Sequence, residues 1–258
     1  NKIAGCCKHL DGTFNLSRDS AGCTLPSVRD TPNAARVVAN EIILALVCGV
    51  VGTLLLSVAL GTGLLPPAEQ LTGLNYVYAP LGLLAAAAGY HQIAKAIDIE
   101  EPPTPTKASW GVTGVTIISH TAVAVLGSFA LSALMDMAGF PVTEQAAVTA
   151  ITDSGLGIRS DLLLLVLAAV VLAPIAEEWL MRGLLFARIR RANPVAAYAV
   201  TALAFAAIHG NPAGFVVYAW LAIVFAHAMA RTGRLSAAIG VHALNNVITL
   251  SMLLGAVS

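Results

Sequence analysis

Residues 162–190 read LLLLVLAAVVLAPIAEEWLMRGLLFARIR, and this stretch decides the fold. Residues 162–176 carry no charge, and the whole stretch is longer than the ~20 residues that a helix needs to cross a bilayer. We therefore predict a membrane-spanning helix over 162–190. Its second half nevertheless contains Glu177, Glu178 and Arg182. Each such residue costs ~2.5–3.5 kcal/mol near the centre of a spanning helix, so all three require partners or a water-filled cavity.

The rest of the chain has the same apolar character. Of its 258 residues 57% are hydrophobic and 11% are charged, and the mean hydropathy is +0.80. A soluble domain carries about 25% charged residues. Breaks at Gly, Pro and charged clusters predict an all-α polytopic membrane protein of seven to eight transmembrane helices with a C-terminal four-helix catalytic core. The seven helices are predicted at 38–64, 75–96, 109–135, 162–190, 194–209, 212–231 and 235–255. The segment 143–153 is too short to span and is predicted to be an interfacial helix or an eighth element.

The basic residues indicate the orientation of these helices. All of the 14 Lys and Arg except Arg159 and Arg182 precede the first helix or lie in or directly beside loops on the same side as that end. Because cytoplasmic loops carry the excess of Lys and Arg, we expect a cytosolic N-terminus in an integral protein of a bacterial plasma membrane. We divide the chain into a mobile cytosolic tail (1–35), N-terminal transmembrane helices (36–107) and a core (108–258), with a Pro-rich acidic linker at 100–107.

Two kinds of site are disfavoured by composition. The formal net charge is zero, so a nucleic-acid partner is not expected. The four cysteines lack the spacing of a zinc finger or a disulfide framework; they are Cys6, Cys7, Cys23 and Cys48. The apolar composition makes membrane lipid the expected surrounding of the protein.

The charged residues of 162–190 have a structural and a functional reading. Glu178 and Arg182 have the i,i+4 spacing of a helical ion pair, and this pair can be purely structural. Glu177 points ~100° away from Glu178 around the helix, so it faces a different partner. We therefore predict a functional role for the two carboxylates, with Glu177 the one that Arg182 does not neutralise.

Two later helices carry further polar groups. Phe205 and His209 are four residues apart, and the Gly-Asn-Pro break at 210–212 follows directly. If this break lies within the membrane, its irregular backbone must line protein or a water-filled cavity. His242 and Asn246 share one face of the last helix, where an Asn/His pair can also simply join helices by hydrogen bonds. His120 and His227 lack polar neighbours one turn away and are predicted to be packing or supporting residues. His91 is predicted to be interfacial.

Together these helices supply a carboxylate, two imidazoles and an amide, the groups needed to activate water and stabilise an oxyanion. Two His and a carboxylate also match a catalytic zinc site, although there is no H-E-x-x-H helix, so zinc and a metal-free mechanism both stay open. Straight helices place Glu177 ~16 Å before Arg188 but His209 ~24 Å from the same side. Tilt, or an extension of the fourth helix past the bilayer, would reconcile the two depths.

The three motifs in order are Glu-Glu-x-x-x-Arg (177–182), Phe-x-x-x-His (205–209) and His-x-x-x-Asn (242–246). In order and spacing they resemble the CPBP family, also called Abi, of type 2 CAAX prenyl proteases and bacteriocin-processing or immunity proteins. The resemblance covers residues 160–255. It implies that Glu177 activates water, that His209 helps to hold it, and that His242 and Asn246 stabilise the oxyanion. Glu178, Arg182 and Phe205 would support the site, and any zinc would be bound by His209, His242 and one of the glutamates, with Glu177 the first to test.

The resemblance implies an intramembrane endopeptidase of the CAAX-protease or bacteriocin-processing type, described in the family as a metalloprotease, with lipidated proteins among its possible substrates. Two other functions remain open. A non-catalytic membrane scaffold or immunity factor would retain the fold and use the polar cluster for partner binding. A small proton-coupled carrier would also use intramembrane Glu, Arg and His, but the seven unequal helices show no inverted repeat.

Overall fold

A computed structural model describes residues 34–65, 74–97, 105–142 and 159–255 of the chain. The described part consists of seven helices joined by turns and short irregular segments. They are α1 (Ala34–Gly61), α2 (Leu74–Ala96), α3 (Trp110–Met137), α4 (159–192), α5 (Pro194–Ile208), α6 (Phe215–Thr232) and α7 (Leu235–Gly255). Each predicted helix is therefore present, with ends that differ by a few residues. The predicted segment 143–153 lies outside the described residues, as do most of the predicted tail and of the linker.

Five helices of the described chain are long and apolar enough to cross a membrane, namely α1, α3, α4, α6 and α7. Helix α5 is apolar but only 15 residues long, or ~22 Å, which is short of the ~30 Å hydrocarbon core. Helix α2 carries His91, Gln92 and Lys95 in its last two turns. The chain is an all-α polytopic membrane protein, as predicted. Of the seven described helices, α2 and α5 are not both long and apolar enough to cross a membrane by themselves.

Helix α4 is not the regular α-helix that the apolar pattern predicts. It contains two π-helical stretches, Ala168–Leu172 and Trp179–Phe186. The first lies directly before Pro174, which has no backbone N–H to donate to the preceding turn. A wider turn at that point lets the helix continue past the proline. Stretches of this kind are rare and are found frequently at functional sites.

Helices pack closely where small residues face a neighbour. A Cβ added to Gly52 of α1 would lie 2.8 Å from the Gly82 carbonyl oxygen of α2, so that crossing requires a glycine. Gly233 joins α6 to α7 with a φ of 64°, and a Cβ there would lie 2.6 Å from the Thr106 carbonyl oxygen. Close approach through small residues is the usual way in which helices associate in lipid, where no hydrophobic driving force acts between them.

The turn between α4 and α5 resolves the predicted mismatch in depth. Helix α4 continues to Ala192, and Pro194 begins α5 after the single residue Asn193, whose side-chain oxygen accepts a hydrogen bond from Ala196 N at 3.0 Å. Glu177 and His209 each lie 15 residues from their end of this hairpin. In regular α-helices both would be ~22 Å from the turn, and the π-helical stretch Trp179–Phe186 makes the α4 arm somewhat shorter. The extension of α4 therefore brings the two residues to similar depths.

Candidate active site

The centre of the site is the buried ion pair of Glu178 and Arg182. Both side chains are fully buried, and Arg182 Nη1 donates to Glu178 Oε1 at 2.9 Å, as the i,i+4 spacing predicts. Arg182 Nη2 donates to the Ala222 carbonyl oxygen of α6 at 3.0 Å. The guanidinium also lies over the rings of Phe205 and Phe225, 4.7 and 5.4 Å from their centroids. A charge in an apolar interior needs such compensation, and the planar fork of arginine supplies several donors at once.

His242 lies between the two glutamates. Its Nδ1 is 2.9 Å from Glu178 Oε1, and its Nε2 is 4.0 Å from Glu177 Oε2. The imidazole stacks on Phe225, with ring centroids 4.7 Å apart and planes 16° from parallel. A carboxylate that accepts from one imidazole nitrogen fixes the ring orientation and leaves the other nitrogen for chemistry. The adjacent glutamates therefore approach opposite edges of the same ring, which the sequence analysis did not foresee.

Glu177 differs from Glu178 in its surroundings. Its side chain is 11% exposed, whereas that of Glu178 is fully buried. Glu177 Oε2 is inaccessible to solvent and has no hydrogen-bond partner among the described residues; the same holds for Glu178 Oε2, but the other oxygen of Glu178 is bonded to Arg182 and His242. Its 4.0 Å separation from His242 Nε2 is too long for a direct hydrogen bond. A buried, unpartnered carboxylate oxygen facing an imidazole nitrogen is an acceptor site for a water molecule.

His209 lies at the end of α5, and both it and His242 lie against the ring of Phe205, with centroids 4.6 and 5.7 Å away. Its Nδ1 is 2.7 Å from the Phe205 carbonyl oxygen, which can only accept, so Nδ1 carries the proton and Nε2 is free. The ring stacks on Tyr218 of α6 with centroids 4.1 Å apart, and it contacts Phe205 at a tilt of 45° with centroids 4.6 Å apart. His209 is near enough to Glu177 and His242 to interact with both electrostatically. The structure therefore brings the two imidazoles and the glutamates of three helices together.

The break after His209 lines a cavity, as its irregular backbone predicts. Gly210 has a φ of 60°, which favours glycine, and Asn211 and Pro212 follow it. The cavity has a volume of about 470 Å³, and apolar side chains such as Phe215 and Val216 complete its lining.

Asn246 lies one turn after His242 on α7, and its side chain contacts α4. Its Nδ2 donates to the Ala169 carbonyl oxygen at 2.8 Å. Ala169 lies five residues before Pro174, so its carbonyl occupies the position that a π-helical turn would pair with the missing proline N–H. Asn246 supplies that hydrogen bond from α7, and an amide has a second hydrogen for another acceptor. Asn245 Nδ2 donates to Asn246 Oδ1 at 3.4 Å.

The predicted zinc ligands do not form a metal site in this arrangement. A catalytic zinc needs three protein ligands at about 2.0–2.2 Å. Within the described ranges no three His, Cys, Asp or Glu side chains are grouped closely enough to hold one ion, and that includes His209, His242 and Glu177. Zinc binding stays a prediction, and no chemical step below depends on it.

Several site residues were missed by sequence reasoning. Phe225 and Tyr218 stack on the two histidines, and the Ala222 carbonyl accepts from Arg182. All three lie on α6, which carries no motif of its own, so only the helix packing reveals them. His120 and His227, predicted to be packing or supporting residues, contact each other: His120 Nε2 is 2.9 Å from His227 Nδ1 across α3 and α6, and the two rings stack.

Comparison with known proteins agrees with the motifs. Residues 159–248, about a third of the chain, match the family model described as Type II CAAX prenyl endopeptidase Rce1-like. No curated protein and no solved structure matches the chain. The resemblance to CAAX-type proteases is thereby confirmed, and the matched segment contains Glu177, His209, His242 and Asn246. The match supports a membrane-embedded protease.

Proposed function

We propose that this protein hydrolyses a peptide bond at or within the membrane with a water molecule activated by Glu177. The observation that carries the proposal is the unpartnered Glu177 Oε2, buried and 4.0 Å from His242 Nε2. The protease family matched by residues 159–248 supports it. Substrates are membrane-associated proteins, lipidated proteins among them. The loop charges favour a cytosolic N-terminus, with the site reached from that side or from lipid.

In the proposed reaction Glu177 takes a proton from water while the water oxygen attacks the carbonyl carbon of the scissile bond. Nε2 of His209 accepts a hydrogen bond from the second O–H of the water and so orients it. As the carbonyl becomes an oxyanion, His242 donates to it from Nε2, and the second amide hydrogen of Asn246 is a further donor. The carbon–nitrogen bond then breaks, and the proton held by Glu177 passes to the leaving amine.

The surrounding residues hold this arrangement. Glu178 accepts from Nδ1 of His242 and so fixes the ring, and Arg182 balances the buried carboxylate charge. His242 can donate from both of its ring nitrogens only as an imidazolium, and each of those nitrogens would face a carboxylate here. Burial strengthens these interactions because little water competes with them.

The test compares the membrane proteomes of cells that produce the wild-type protein or the Glu177→Gln variant. We expect one or more proteins to accumulate uncleaved with Glu177→Gln, while the variant itself is made in normal amounts. Glu41→Gln is the matched control, because Glu41 is a buried carboxylate (4% exposed) that belongs to α1 and bonds to Tyr90. Cleavage that continues unchanged in Glu177→Gln would sink the mechanism and favour a non-catalytic scaffold or immunity factor.

A further inference from the structure

A second cavity lies away from the catalytic groups. It has a volume of about 500 Å³ and is formed where α2 and α6 end, α3 and α7 begin, and α4 nears its end. None of the proposed catalytic residues is among the described residues that line it. These helix ends are on the side where the loops carry most of the Lys and Arg, so the cavity faces the membrane–water interface.

The lining of this cavity is basic. Lys107, Arg188, Arg234 and His91 contribute to it, and none of the described lining residues is acidic. Arg234 is held in place, because its Nε donates to the Ala108 carbonyl oxygen at 2.9 Å and its guanidinium lies 4.0 Å from the ring centroid of Trp110. A basic concavity at this position attracts anions.

Arg188 provides an independent reason to expect a ligand. The residue is 5% exposed, and its Nε and Nη1 are buried without any hydrogen-bond partner among the described residues. Its guanidinium lies 5.7 Å from the ring centroid of Tyr90, whose hydroxyl donates to Glu41. The guanidinium charge beside the cavity has no ion-pair partner among the described residues, and a bound anion would compensate that charge from the cavity side. Arg188 is outside the three motifs and has no role in the proposed reaction.

The remaining lining favours a phosphate that carries an organic group. Trp179, Leu184, Met229 and Leu235 form apolar walls beside the basic residues, and Ser236 adds a hydroxyl. A guanidinium can bind two phosphate oxygens at once, and lysine adds a point charge. Anionic lipid headgroups at the cytoplasmic leaflet present this chemistry next to apolar chains.

We propose that the Arg188 cavity binds a phosphate group at the basic face of the protein, supplied by an anionic lipid headgroup or by soluble phosphate. Binding would anchor the ends of α2 and α4 to the start of α7. The site is separate from the proposed protease chemistry, so a Glu177→Gln protein should bind the same ligand equally well.

The experiment uses the full chain in phosphatidylcholine nanodiscs, with or without phosphatidylglycerol, and in phosphatidylcholine with added inorganic phosphate. Native mass spectrometry measures how much lipid the protein retains. Thermal unfolding measures the midpoint temperature with and without each anion. We expect Arg188→Gln to weaken binding about tenfold or more, the scale of a charge-assisted hydrogen-bond pair. Arg190→Gln is the matched control. It removes the same charge from an exposed position two residues away and should change binding by about twofold at most.

The outcomes distinguish a lipid headgroup from soluble phosphate as the source of the bound anion. Retention of phosphatidylglycerol that depends on Arg188 identifies a lipid site, and stabilisation by phosphate alone identifies a soluble anion. Without a ligand Arg188→Gln should be at least as stable as wild type, since it removes an unpaired charge. If that variant does not accumulate, Lys107→Gln at the exposed rim provides the same comparison.

Three results would overturn the proposal. One is no binding of either anion, and another is an equal loss of binding in the Arg188 and Arg190 variants. The third concerns Asp98, Glu100 and Glu101, which precede the Pro105 wall in sequence and lie outside the described residues. If neutralising these three creates anion binding that the wild-type protein lacks, their carboxylates and not phosphate occupy the cavity.

Discussion

Glu178 Oε1 lies 2.9 Å from His242 Nδ1, so a buried hydrogen bond joins α4 to α7 at the centre of the site. The same oxygen accepts from Arg182 at 2.9 Å. One carboxylate oxygen therefore links the orientation of the imidazole to the ion pair, and a change at Glu178 must affect both folding and catalysis. Among the described residues Glu177 Oε2, one residue earlier, has no hydrogen-bond partner, and this leaves it available for the proposed reaction.

The two adjacent glutamates should differ sharply in their effect on stability. Glu178→Leu leaves Arg182 as an uncompensated buried charge, and we expect a loss of about 3–5 kcal/mol in the free energy of unfolding. Glu177→Gln should cost much less. The double variant Glu178→Leu/Arg182→Met should recover most of the loss, because it buries no charge. Thermal unfolding in detergent measures all three, and an equal loss for the two glutamate variants would contradict the division of roles.

His242→Asn should separate positioning from catalysis. The asparagine amide can still reach Glu178, so the protein should fold, but nothing replaces Nε2 near Glu177. We expect cleavage of a substrate identified in the proteomic comparison to fall about 10²–10³-fold, the usual cost of losing one oxyanion donor. The loss should appear in kcat more than in KM. His227→Asn, which alters an imidazole outside the site, should leave the rate near wild type, and an equally fast His242→Asn protein would argue against oxyanion stabilisation.

Asn246→Ala should leave the Ala169 carbonyl unsatisfied in an apolar interface and cost about 1 kcal/mol. Pro174→Ala restores a backbone N–H that the Ala169 carbonyl can accept. The loss from Asn246→Ala should therefore be smaller in a Pro174→Ala background, which a double-mutant cycle measured by thermal unfolding detects. Additive losses would show that the Ala169 contact has no structural weight. Cleavage rates of the same variants report on the oxyanion, since Pro174→Ala cannot replace that donor.

Catalysis should survive removal of metal. His209, His242 and Glu177 are not grouped as a metal site, so we expect the purified protein to contain zinc well below one ion per chain and to remain active after dialysis against a chelator. Elemental analysis and cleavage assays check this. Activity that disappears with chelation and returns with zinc would instead support zinc ligation by these residues, above all if His209→Ala and His242→Ala lower the metal content.

Much of the fold follows from the sequence because lipid imposes simple requirements. Each helix needs an apolar run, and every break coincides with Gly, Pro or charged residues, so seven helices could be predicted to within a few residues. Contacts within one helix were equally accessible, since Glu178 and Arg182, or Phe205 and His209, meet by i,i+4 geometry alone. The π-helical stretches of α4 were missed because its apolar pattern looks the same in either helix type.

Contacts between helices could not be predicted, because they depend on how each helix is rotated and how deep it lies. The approach of both glutamates to one imidazole requires the relative rotation of α4 and α7, which hydrophobic periodicity does not specify when a helix is apolar on all sides. The pairing of His120 with His227 depends in the same way on α3 and α6.

In the hairpin of α4 and α5, the number of residues between the turn and a side chain sets how deep that side chain lies. Asn193 is the only residue between the two helices, and the 15 residues on either side of it bring Glu177 and His209 to similar depths. One residue inserted into either arm would move its reactive group by ~1.5 Å and rotate it by ~100°. Substitutions along the hairpin can therefore be tolerated where insertions and deletions cannot, and the short turn acts as a ruler for the site.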